Sequence, residues 1–465
     1  MTEKSFYGFP YSHKEEWIDL ALKNAKLKTL DQLIFRDEIE EIEIPPFFTS
    51  EDVANWKWQE ENDTGLLNGL NGRSLWGWDN IALIDLDEEK LEGIKGTLGL
   101  GIDGVILNWS GEGDLERLLD GVHPEYISIW LKPKGNIVQT LTSFLQWFKG
   151  KEINNNKLCG GLLIDPLADL LESNEQKELE RVITKVNLLT KDFSGFCGHC
   201  IDFSVYLNSG GNSIQQLTYG LGAMIECLVI LEKNKVELSN FWANFFVCIG
   251  SGGDYFYNIA KLKILRIMVS QVAALYGKEF SPGELKVFVV TGLWTKSHLD
   301  IETNMVRNTV EAMMAVQGGG NLLYVTPHDI LTNPLNVRSK RIAANISNLL
   351  KMEGHFDKVM DLTEGAYYLY YLQDSFYDKV IIKLKKLESQ GGWLQAFQNN
   401  AIQRDIGSVR EKQLINMREG RFTMVGVNAY FSDTKKKVDG EEERIGQLLP
   451  VSKSLLFEKT NTAKP

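Results

Sequence analysis

Regular alternation of short apolar runs with amphipathic stretches predicts an α/β fold, a (β/α)8 TIM barrel with an extended N-terminal arm and a short C-terminal tail. Three observations carry the prediction. From about residue 80 an apolar run and a helical pattern recur eight times in succession. The stretch from Asn304 to Tyr371 makes the unit explicit: a helix through Gln317, a stop at Gly318–Gly320, an apolar run Leu322–Val325, and a second helix around Arg341. The alternation also has no break at its centre, where a doubly wound open sheet, the competing architecture, divides into halves.

The elements follow in order. Residues 1–75 read as an arm: an amphipathic helix around Glu15–Ala25 with Trp17, Leu20 and Ala21 on one stripe, then Ile42–Ser50, where Pro45 and Pro46 impose an extended course. Such an aromatic arm packs either on its own barrel or on another subunit. Residues 76–400 form the barrel. Its predicted strands are Ile81–Ile84, Gly104–Asn108, Tyr126–Trp130, Leu162–Ile164, Cys200–Tyr206, Asn244–Cys248, Lys286–Val290 and Leu322–Val325. Helical patterns separate them, the clearest being Ile214, Leu217, Leu221, Ile225 and Leu228, capped by Asn212 or Ser213. Residues 401–465 read as an extension or linker: Val425–Tyr430 a short extended tail, Lys435–Arg444 a solvated charge run.

Bulk properties narrow the function. The chain has 465 residues, 43% of them hydrophobic, which is enough for a large core. A net charge of −12 argues against a nucleic-acid or anionic-membrane surface. The N-terminus lacks an apolar signal core, and no run approaches the ~20 apolar residues that span a bilayer. Five cysteines, sparse for this length, fit a reduced cytoplasm.

In a barrel, chemistry sits where the strands end. The residues predicted there are Asp85, Asp87, Asn108, Trp109, Asp165, Tyr206, Asn208, Ser251, Asp254, Thr291, Lys296, His298, Thr326, His328 and Asp329. The loop Gly250–Asp254 precedes a helix and can cradle a phosphate with its amides, though it lacks the P-loop lysine. The loop Gly318–Asn321 follows a helix, so capping explains it better. Cys197-Gly-His-Cys200 matches a redox motif, but it runs into a strand rather than starting a helix, which removes the dipole that activates such a thiol. The six histidines are scattered, and no paired metal-binding histidine motif occurs. Tyr206 reads as packed, and Asp165-Pro166 as the start of a turn.

Several runs, in order, resemble the methylmalonyl-CoA mutases, an acyl-CoA-binding barrel family, and more closely their small subunits. Glu43–Asp52 resembles the entry segment. Ile259–Arg266 resembles the strand-six helix, with Lys263 where arginine is usual. Asp300-Ile-Glu-Thr-Asn304-Met-Val-Arg307, Arg341–Asn345, Asp361–Tyr368, Glu388–Gly392 and Val425–Asn428 complete the set. The departures carry information. Active large subunits place an Arg-Gly-Tyr run after strand one; Asp85–Glu89 stands here and is expected to repel a carboxylated thioester. They place a histidine at the end of strand five; Leu207 is near that position. The Asp-x-His-x-x-Gly mark of the cobalamin module does not occur, and the last histidine is His355. The resemblance therefore implies a non-catalytic small subunit with no catalytic, cofactor-binding or metal residues of its own. It also implies a large-subunit partner that carries adenosylcobalamin, with the arm wrapped on that partner. The alternative is a stand-alone barrel enzyme acting on a phosphorylated or CoA-linked molecule through the Gly250 loop, Asp254, Lys296 and His328.

Overall fold

A computed structural model describes residues 13–53, 56, 58, 77–89, 91–173, 178–333, 336–359, 361–431 and 447–462. Its centre is a parallel barrel. Strand one is Asp79–Asp85, two Gly104–Trp109, three Ser128–Pro133, four Gly160–Leu162, six Phe245–Ser251, seven Val287–Thr291 and eight Leu322–Tyr324. Strand five comes in two pieces, Phe196–Cys197 and His199–Asp202. The first piece pairs with strand four and the second with strand six, so both ends of the sheet meet in one strand and the barrel closes. The interruption falls at Gly198, where only glycine fits: a Cβ there would lie 2.2 Å from Thr190 Oγ1.

Two layers of apolar side chains follow from this closure. The outer layer packs helices on the sheet. Helices Ser213–Lys233 and Tyr255–Leu275 are buried along most of their length, because Tyr367–Ser389 covers them from outside. Ser213–Lys233 is apolar and long enough to pass a membrane-span test, but 78% of that window is buried in the core. The inner layer fills the axis with Ile81, Ile106, Trp130, Phe246, Phe288 and Leu322, with Cys197, Cys200 and Cys248 among them. Trp130 meets Phe246 at 4.8 Å and Phe288 at 5.2 Å between ring centroids, both edge to face.

One expectation changes, and two segments that the sequence left open take shape. Strand five stops at Asp202, and Ser204–Asn208 is a helical turn, so Tyr206 and Leu207 lie on a helix. The described parts of residues 401–465 pack on the barrel. Ala401–Arg418 is a helix whose Ile402 and Ile406 are fully buried in the barrel's outer core, and Leu448 joins them. The charge run 435–444 lies outside the described residues. The described arm packs on its own chain. Phe35–Asp37 and Ile42–Ile44 form a small hairpin; Phe48 stacks near Tyr368 and Tyr371, and Tyr371 donates to the Glu43 carbonyl at 2.7 Å.

Candidate functional site

The strand ends divide into three groups, and in two of them the polar residues are committed to one another. Across strands one to three, Lys134 pairs with Asp85 at 2.7 Å and with Asp87 at 3.0 Å, while Asn108 donates to Asp85 at 2.8 Å. Lys340 pairs with Glu89 at 2.5 Å. The run expected to repel anions is thus offset in part, four carboxylates against two lysines that lie far from it in sequence. Trp109 is buried and donates to the Glu112 carbonyl.

At strands four and five, Asp165 caps the helix Pro166–Ser173, where Pro166 takes the first helical position. Asp165 accepts the amides of Leu167 and Asp202, both at 2.9 Å. Burial outweighs these bonds, and Asp202 beside it adds to the effect, raising the Asp165 carboxyl to about 7. Tyr206 is packed: it accepts from Trp393 Nε1 at 2.8 Å and donates to the Tyr219 carbonyl. Cys197 and Cys200 face the filled axis as free thiols, and burial pushes the Cys200 thiol well up, so it is inert. His199 points outward to Asn187 at 3.1 Å, and burial depresses it to about 4. Among the described residues no group of three potential metal ligands occurs.

The third group, over strands six to eight, combines a buried network with an open cavity. Lys296 and Glu311 form a fully buried ion pair at 2.7 Å. Thr326 donates twice to Thr291, from its N–H to the hydroxyl and from its hydroxyl to the carbonyl. Asn304 donates to the Ser297 and His328 carbonyls, and Asn308 to the Thr326 carbonyl, so the helix Thr303–Gln317 ties down the loops after strands seven and eight. The segment 447–462 then crosses this rim. Val451 N–H donates to the Asn208 carbonyl and Lys453 N–H to that of Trp294, while Ser452 Oγ donates to the Lys296 carbonyl. His298 is held between Ser454 Oγ at 2.9 Å and Glu458 at 2.7 Å. His328 is buried, and Asp329 accepts from Asn336. The Gly250 loop is spent internally as well: Lys261 donates to the Gly250 carbonyl and the Gly252 amide to Asn258, both within 2.9 Å. Gly250 exists for packing, since a Cβ there would lie 2.6 Å from Leu207. The loop Gly318–Asn321 is the helix cap expected of it, clasped by buried Arg266 through the Gly319 carbonyl and Asn321.

Beside these residues lies a cavity of about 840 Å³, walled by the arm hairpin, the start of helix Ser213–Lys233, helix Thr303–Gln317, residues 413–425 and Lys453. Of the residues assigned to a stand-alone enzyme, only Asp254 presents a side chain to it in exposed form; Lys296 and His328 are buried. Sequence reading missed Arg307 and Lys453 as cavity residues. Arg307 was legible only as part of a family run, and Lys453 reaches the rim through a chain reversal that no local pattern signals.

The profile of the methylmalonyl-CoA mutase family matches residues 80–448. The chain belongs to the methylmalonyl-CoA mutase family. It is 25% identical over 463 residues to a methylmalonyl-CoA mutase small subunit of Porphyromonas gingivalis, spanning 96% of this chain and 74% of that protein. It is 25% identical over 370 residues to the Escherichia coli methylmalonyl-CoA mutase and 24% identical over 372 residues to the human mitochondrial enzyme. The chain spans about half the length of these two relatives, 50% and 47%.

An acyl thioester entering this barrel would need an open axis and a free cation at the mouth. The axis is packed with aromatic rings, and Lys134, Lys340 and Lys296 are each held by carboxylates. A corrin held through a histidine nitrogen at the mouth would need that ring exposed, yet His298 and His328 are both buried and the segment 447–462 lies over His298. The residues present do not fit either group on the barrel axis.

Proposed function

We propose that this chain is the non-catalytic small subunit of a heterodimeric, adenosylcobalamin-dependent methylmalonyl-CoA mutase. Interconversion of methylmalonyl-CoA and succinyl-CoA then takes place on a large subunit that carries the cofactor, in the cytoplasm. The filled axis carries this reading: Trp130, Phe246 and Phe288 occupy the space a substrate would use. The similarity to the P. gingivalis small subunit, which spans nearly the whole chain, supports it. The large subunit supplies the radical chemistry, and this chain contributes a rigid barrel whose ion pairs are already internally satisfied.

Co-expression tests the reading. Tagged chain and the homologous large subunit from the same genome should co-purify at equal stoichiometry. Isomerase activity should follow the large subunit and be absent from this chain alone with added adenosylcobalamin. Turnover by the isolated chain, or failure to associate with the large subunit at micromolar concentration, would overturn it.

A further inference from the structure

The family's chemistry leaves the rim cavity unexplained, and its lining is selective. One wall is apolar: Leu207, Trp294, Val310, Met314, Phe422 and Met424. Lys453 is buried, with its ammonium 4.5 Å from the Phe422 ring centroid and 5.2 Å from that of Trp294. Among the described residues it makes no ion pair. Its backbone N–H is fixed on the Trp294 carbonyl at 3.1 Å, so the cation is placed by the fold rather than by a flexible stem. Arg307 lines the same cavity and donates to Asn304 Oδ1 at 2.9 Å and to the Val425 carbonyl at 2.6 Å, contacts that carry no counter-charge. Burial lowers the Lys453 ammonium to about 8; Asp254 nearby opposes the shift and the repulsion of Arg307 adds to it. In a chain of net charge −12, two convergent cations without a carboxylate bound to either are unusual. Lys261, also in the lining, is different: it donates to the Gly250 carbonyl and Asn258 Oδ1, both at 2.8 Å, and holds the loop. Asp254 and Glu38 are exposed carboxylates of the lining; Asp254 makes no ion pair among the described residues but lies near enough to Lys453 to stabilise its charge.

We infer that this cavity binds a small organic monoanion, an apolar or aromatic body bearing one carboxylate, with Lys453 and Arg307 contacting the acid group. The cation pair gains a counter-charge in a poorly solvated place, where it counts for more than in water. The apolar wall takes the body of the ligand. Asp254 selects against a second acid group. The site lies off the barrel axis and does not depend on whether the chain works as a small subunit.

The test uses the whole purified chain and the fluorescent anion 1-anilinonaphthalene-8-sulfonate, read by its emission and by energy transfer from tryptophan. The chain should bind about one equivalent. 4-Phenylbutyrate should displace the probe and phenylsuccinate, with its second carboxylate, should compete at least tenfold more weakly. Lys453→Met keeps the stem that packs on Trp294 and should weaken the anionic probe about tenfold while leaving the neutral N-phenyl-1-naphthylamine unchanged. Val310→Trp narrows the cavity with Lys453 still present and should weaken both probes. If Lys453→Met weakens both probes alike, the cavity has collapsed; Val310→Trp then decides, with loss of probe supporting the site and retention overturning it. Unchanged affinity in both variants, or no displacement by 4-phenylbutyrate, reduces the binding to an adventitious additive only and overturns the proposal.

Discussion

The axis of this barrel and its rim are built in opposite ways. On the axis, space is filled: three aromatic rings and three cysteines close the place where a barrel enzyme keeps its substrate. At the rim, above strands six to eight, a cavity of about 840 Å³ stays open and holds cations that lack carboxylate partners. The difference teaches that a barrel can close its axis and still keep an open cavity at its rim. Filling an axis needs only larger apolar residues on alternate strand positions, which also stabilise the fold, whereas the rim is shaped by loops and by a returning C-terminal segment.

The comparison is sharpened most by attacking the axis. Trp130→Ala should cost about 3–5 kcal/mol in urea unfolding, since a fully buried ring that touches two others leaves a void the closed barrel cannot collapse around. It should bring no isomerase activity, because one opened ring position leaves Phe246 and Phe288 on the axis. Lys296→Met should cost about 3 kcal/mol by stranding Glu311, and adding Glu311→Leu should recover most of the loss; an unrecovered double variant would show that the pair is more than mutual compensation. His199 gives a pH signature. Its pKa falls from 6.5 to about 4 on folding, so the unfolded chain takes up its proton first as pH drops. The stability tied to neutral His199 is complete above about pH 6.5 and is lost as pH falls toward 4, an effect of up to about 3 kcal/mol. His199→Gln should flatten the stability profile in that window alone, measured against wild type by urea titration at several pH values. The smallest effect is expected at the rim: Val310→Trp, at a partly exposed cavity wall, should change stability by no more than about 0.5 kcal/mol.

The same contrast decides what was legible in the sequence. Strands one, two, six, seven and eight could be read within a few residues, because a parallel strand buried on both faces is a continuous apolar run with turn signals at each end. Strand five was misjudged at its end. Ser204–Asn208 is as apolar as the strand before it, and a short apolar run does not reveal its period. The arm's choice between its own barrel and a partner was undecidable, since Phe48 and Tyr371 meet across more than three hundred positions. At the site, the candidates at strand ends were correctly placed near the mouth, but sequence could not show that Lys134 pairs with Asp85 and Asp87 or that Glu311 holds Lys296. Ion pairs of that kind are set by the tertiary fold. The loop Gly318–Gly320 was read correctly because a helix cap is a local device.

The claim beneath all of this is that the axis is closed to an acyl thioester. Equilibrium dialysis of labelled methylmalonyl-CoA against the isolated chain tests it most directly, with excess 4-phenylbutyrate present to occupy the off-axis cavity. The account predicts no saturable binding up to millimolar thioester. One equivalent bound, and released when Trp130 is altered, would contradict it.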